Sequence, residues 1–147
     1  MSDKLTTFSG NIEVTGPHEI KSDGINYQYI RFYNEDVKNA QMVKKVVATS
    51  NIDSYVSPGT AGKFYLAKSG NGMVMYGFKN DTRAVQDIDE VSRVFGKAKR
   101  TAWVFIVCSI PLIPIFGLGL IVLFQGVKML FALNIPSNSE LHDEFAR

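Results

Sequence analysis

The side chains best able to do chemistry are few in this sequence and lie far apart along it. Histidine occurs twice, as His18 and His142, and cysteine once, as Cys108. A structural or catalytic metal needs three or four such ligands clustered together, so the pattern predicts no metal centre. His18 follows Gly16-Pro17 and precedes Glu19, a setting that reads as a solvated turn. Cys108 stands among apolar residues, where a thiolate is disfavoured and a small packing role is expected. Serines are numerous, yet none occupies the pattern of an exposed nucleophile and no histidine is placed to serve as its base.

Phosphate binding would require a glycine-rich loop ending in lysine and opening a helix. Gly59-Thr60-Ala61-Gly62-Lys63 approaches that composition, but its spacing is too short and Phe64 to Ala67 reads as a strand. The glycines are expected to shape a strand entry instead. The acidic pairs Glu35-Asp36 and Asp87 with Asp89 fall in a predicted turn and on a predicted exposed helix face, where solvated charge is the ordinary explanation. Tyr27, Tyr29, Tyr33, Tyr65 and Tyr76 could stack nucleobases, but 16 basic and 14 acidic residues, close to balance in every region, supply no basic field. The chain therefore reads as non-enzymatic, without a cofactor and without nucleic acid as a partner.

These residues are carried by a chain whose character changes along its 147 positions. From Thr6 to Lys79 short strands are punctuated by Gly16-Pro17, Ser22-Asp23-Gly24, Ser57-Pro58-Gly59 and Ser69-Gly70-Asn71-Gly72. Ile25 to Tyr33 alternates clearly, Phe8 to Thr15 is a further strand, and Lys63 to Lys68 with Met73 to Lys79 forms a predicted hairpin. Val37 to Thr49 suits either helix or strand. About five strands in residues 1–80 predict a mainly β domain, a small barrel of the OB or SH3-like kind.

Residues 81–100 have a helical period. Val85, Ile88, Val91 and Val94 recur every three positions and form a candidate interaction face, with Asp81 or Thr82 as the expected cap and Gly96 as an interruption. Ala102 to Phe124 then runs 23 residues without a charge, about 35 Å as helix against a hydrocarbon core of roughly 30 Å. This predicts an integral membrane protein whose membrane segment, 101–133, is interrupted by Pro111, Pro114, Gly117 and Gly119. A bent single crossing is favoured over a hairpin returning to the same side. Arg93, Lys97, Lys99 and Arg100 flank it on one side with Trp103 at the expected interface, Lys128 reaches outward at the other end, and 134–147 is a polar tail. The basic flank and the lack of a signal sequence place the β-domain in the cytoplasm.

In outline the combination is similar to the NfeD-like membrane proteins, which pair an OB-like domain with membrane helices. The turn Ser57-Pro58-Gly59 before a strand is compatible with that likeness, but the domain order is reversed here and no functional residue is carried over. The expected function is a membrane-anchored interaction or assembly protein, with lipid and either a protein or a second copy as partners; Gly117, Gly119 and Gly126 offer surfaces for close helix contact. A small oligomeric transport or pore component and a membrane-tethered nucleic-acid or nucleotide-binding regulator are the alternatives.

Overall fold

The computed structural model describes residues 4–21, 24–35, 37–110, 118–132 and 136–146. In chain order its elements are β1 (Leu5–Thr15), β2 (His18–Lys21), β3 (Gly24–Asn34), β4 (Asn39–Ala48), α1 (Ser50–Asp53), β5 (Ala61–Ser69), β6 (Gly72–Lys79), β7 (Ala84–Gln86), α2 (Ile88–Ser109), α3 (Leu118–Ala132) and α4 (Asn138–Ala146). The ambiguous stretch after Val37 resolves as β4, because it pairs along most of its length with β3 and its Val43, Val46 and Ala48 enter the core.

A mixed sheet of seven strands replaces the five-stranded barrel expected from the sequence. Its order is β1-β5-β6-β4-β3-β2, β7 adds to β6, and β1 also pairs with β3. Every pairing is antiparallel except β4 with β6, which the chain reaches by crossing over through α1 and β5. Two short strands account for the extra count. β2 pairs with β3 directly after the Gly16-Pro17 turn, and β7 folds back on β6 through a turn in which Asn80 Oδ1 accepts from the backbone N–H groups of Thr82 and Arg83 at 3.1 and 2.7 Å. That asparagine turn takes up the residues expected to cap the helix. The helix consequently begins at Ile88, with the Asp87 carboxylate accepting from Glu90 N–H, and it continues through Gly96 to Ser109.

The strands β5 and β6 are buried on both faces, which explains their unbroken apolar runs Phe64 to Ala67 and Val74 to Phe78. On the inner face a ladder of rings links Phe8, Phe32, Phe64, Phe78 and Tyr55, with centroids 4.8 to 5.2 Å apart. On the outer face Tyr65, Ala67, Val74 and Tyr76 are covered by Ile88, Val91 and Phe95 of α2 and Leu141 of α4. Tyr76 is fully buried and its hydroxyl has no hydrogen-bond partner; burial pushes its ionisation far above the ordinary tyrosine value. An unpaired buried hydroxyl costs about 1–3 kcal/mol, so Tyr76→Phe is expected to raise Tm by about 3–10 °C. A fall in Tm in thermal denaturation would show that the hydroxyl contributes to the fold.

The apolar segment is where expectation and structure part most clearly. Among the described residues no helix is long and apolar enough to cross a membrane. The first half of α2 carries Asp89, Glu90, Arg93, Lys97, Lys99 and Arg100, and α3 has 15 residues. The described part of the charge-free run is divided between these two helices, and they pack side by side in opposite directions: Ile106 near the end of α2 meets Gly126, and Ser92 near its start bonds Asn138 at the start of α4. The expectations of a transmembrane helix, an integral membrane protein and a cytoplasmic orientation read from its flank are corrected accordingly. The favoured single bent crossing gives way to a helical pair that returns to the β-domain. Pro111, Pro114 and Gly117 lie outside the described residues.

Candidate interaction surface

Both legs of the helical pair are rooted in the same apolar cluster. α2 enters through Ile88, Val91 and Phe95, with Val94 partly buried beside them, and α4 enters through Leu141 and Phe145, whose ring lies 5.0 Å from that of Tyr65. The four valine and isoleucine positions picked out as an interaction face are thus placed against the β-domain itself: Val85 belongs to β7 and packs on the inner core, while the other three cover the outer face of the sheet. Pairing at Gly77 leaves room for Phe145, since a side chain there would come within 2.9 Å of its ring.

Two polar devices fix the roots. At the start of α2, Asn51 Nδ2 donates to Asp87 Oδ2 at 3.0 Å, and the Ser50 N–H and hydroxyl each donate to the Glu90 carboxylate at 3.3 Å. Partial burial, together with a hydrogen bond to Asp87 and its negative charge, raises the Glu90 carboxyl above its ordinary value. At the start of α4, Ser137 Oγ accepts from Glu140 N–H at 3.2 Å while Ser137 N–H donates to Glu140 Oε2 at 2.8 Å. This is a reciprocal capping box, and the bond from Ser137 N–H lowers the Glu140 carboxyl.

Above the roots, α2 and α3 approach closely. A Cβ at Gly126 would lie 2.9 Å from Ile106 Cγ1 and 3.3 Å from both Ile106 N and Phe105 Cβ. Ala102 and Ser109, seven residues apart on α2, are fully buried, and Gly119, seven residues before Gly126, is buried on α3. Gly126 is therefore used inside the chain rather than between copies. The small seam leaves the large side chains facing outward. Trp103, Val104, Phe105 and Val107 on α2, Ile110 at its C-terminal cap, and Leu120, Ile121, Phe124, Val127 and Phe131 on α3 are exposed, Phe124 to 70% and Phe131 to 84%. Surfaces of monomeric proteins seldom carry so many large apolar groups together.

Arg93, Lys97, Lys99 and Arg100 are all exposed on the root side of Trp103, and Lys128 is exposed on α3. Continuing the register set by Gly126 against Ile106 and Phe105 puts Lys128 at about the height of Trp103 and Val104. Between Glu90 and Glu140 the sequence holds these five basic residues and no acidic one. The near-neutral balance of the whole chain conceals this local excess.

A second concavity, of about 710 Å³, opens at one end of the sheet among Asn11, Asn34, Glu35, Lys63, Lys79 and Asp81. Gly59 and Gly62 of the loop-like run line it, and the side-chain oxygen Oδ1 of Asn11 is buried without a partner. Its charges are mixed in sign. His18 rests against the ring of Tyr27 at 5.3 Å, whose hydroxyl donates to Asp53 at 2.7 Å, and His142 borders a separate recess with Asp87 and Asp89. Among the described residues no three histidine, cysteine, aspartate or glutamate side chains are placed to share a metal ion.

Sequence pattern points to the basic flank and Trp103 but not to the outward apolar residues as contacts, and it leaves α4 within a polar tail. The signals were present: small residues at seven-residue spacing on both helices, and Ser137-Asn138-Ser139-Glu140 followed by Leu141 and Phe145. No protein-family model matches the sequence, and no curated protein and no solved structure matches it significantly.

Proposed function

We propose that this chain is a non-enzymatic docking protein, in which the β-domain is a rigid base and the α2–α3 pair is an arm whose apolar end is covered by a binding partner. One observation carries the reading: ten large apolar side chains of that pair are exposed although the same two helices bury small residues against each other. Burying an exposed leucine or phenylalanine is worth about 1.5–3 kcal/mol, so selection for a lone, unpartnered chain would favour the reverse arrangement.

The test uses the purified full-length chain and the variant Leu120→Ser/Ile121→Ser/Phe124→Ser. These three positions are exposed, so near-ultraviolet circular dichroism from the Tyr65 and Tyr76 cluster is expected to be unchanged. With no partner present, the wild-type protein is expected to self-associate with rising concentration in light scattering and to bind a hydrophobic dye, whereas the variant stays monomeric and binds at least severalfold less dye. Wild-type protein that remains monomeric and leaves the dye dark would overturn the proposal.

A further inference from the structure

Resting on that reading, we infer that what the arm docks on is an anionic lipid surface, engaged from one side. Two observations select this occupant. The first is the distribution of the apolar groups. Trp103, Val104 and Phe105 are consecutive and all exposed, so on α2 alone they point through about 200° of arc. A folded protein partner covers a stripe of a helix, whereas a fluid apolar phase wets all of it.

The second is charge. Five basic residues and no acidic one lie between Glu90 and Glu140, and four of the five sit on the root side of the apolar end. In that position they would meet headgroups while Val107 and Ile110 lie below them. Each lysine or arginine near a negatively charged membrane surface contributes about 1 kcal/mol to attraction, and Trp103 stands where the two zones meet, as an interfacial tryptophan does.

The experiment needs no added label for its first readout, because Trp103 is the only tryptophan and Cys108 the only cysteine, the latter exposed on the arm. Full-length protein is mixed with vesicles of phosphatidylcholine alone or of phosphatidylcholine with phosphatidylglycerol. With the anionic vesicles at low salt, Trp103 emission is expected to shift to the blue and alkylation of Cys108 by a water-soluble maleimide to slow at least tenfold, both reversing as salt is raised. Lys97→Glu/Lys99→Glu/Arg100→Glu is expected to weaken vesicle binding roughly a hundredfold or more, with circular dichroism as the folding control.

Unshifted Trp103 and unprotected Cys108 with both kinds of vesicle would overturn the lipid assignment. If concentration-dependent self-association persisted in that case, the docking arm would stand with a second copy as its occupant. If self-association were absent as well, the docking reading would fall with it. Equal binding to both vesicle types that is indifferent to the triple charge reversal would also overturn the anionic assignment.

Discussion

Gly10→Ala is expected to be the most damaging single-methyl change in the molecule. Gly10 adopts φ +140°, and a Cβ built there would lie 2.2 Å from the Tyr33 carbonyl oxygen, 2.9 Å from its carbon and 3.0 Å from Asn34 Cα. All three are backbone atoms, so no side chain can rotate away. β1 cannot retreat in the other direction either, because its far edge is paired with β5, where Gly10 stands opposite Gly62. Backbone strain of this kind costs about 1–3 kcal/mol, and forced overpacking adds a similar amount. A loss of at least about 3 kcal/mol against a total stability of about 5–15 kcal/mol should lower Tm by about 10 °C or more. Thermal denaturation followed by circular dichroism measures this directly. A shift under 2 °C would mean that β1 and β3 do not approach at this point.

The second large effect is expected at Leu141→Ala. Leu141 is 1% exposed and sits among Tyr65, Tyr76, Val91 and Phe95, so its truncation leaves a cavity where α2, α4 and the sheet meet. Leucine-to-alanine changes in such positions cost about 2–5 kcal/mol. The loss should be felt unevenly. Amides of 138–146 should exchange with solvent at least tenfold faster as α4 detaches, while those of β5, which also pair with β1 and belong to the inner ring ladder, should change least. Uniform acceleration through both regions would show that the outer cluster and the inner core unfold together.

The parts of this fold that were legible in the sequence are those decided locally. The β5–β6 hairpin follows from Gly70 in a left-handed conformation, φ +56°, between two apolar runs. β3 was visible in the alternation of Ile25, Tyr27 and Tyr29. Asp81 and Thr82 look like caps in the sequence, and only the Asn80 turn and its return strand reveal that Asp87 caps α2. The seven-strand count eluded the reading because β2 and β7 have four and three residues and owe their pairing to neighbours rather than to their own pattern.

Ala102 to Phe124 posed a different problem. An apolar run records that side chains prefer to leave water, not how the chain is divided or what receives them. Its division shows in Ala102, Ser109, Gly119 and Gly126, small residues whose meaning emerges only when the two helices face each other. The cleft beside Asn11 was invisible for the same reason, since its walls come from strands β1, β3, β5 and β6. The basic excess of the arm, by contrast, was written plainly and lost only by averaging charge over longer regions.

The rooting of both legs in one cluster also decides how freely the arm can pivot. A helix held at one point swings about it, whereas Phe95 of α2 and Phe145 of α4 join the same cluster on the outer face of the sheet and give the arm two attachments. Two attachments leave it no single hinge to swing on.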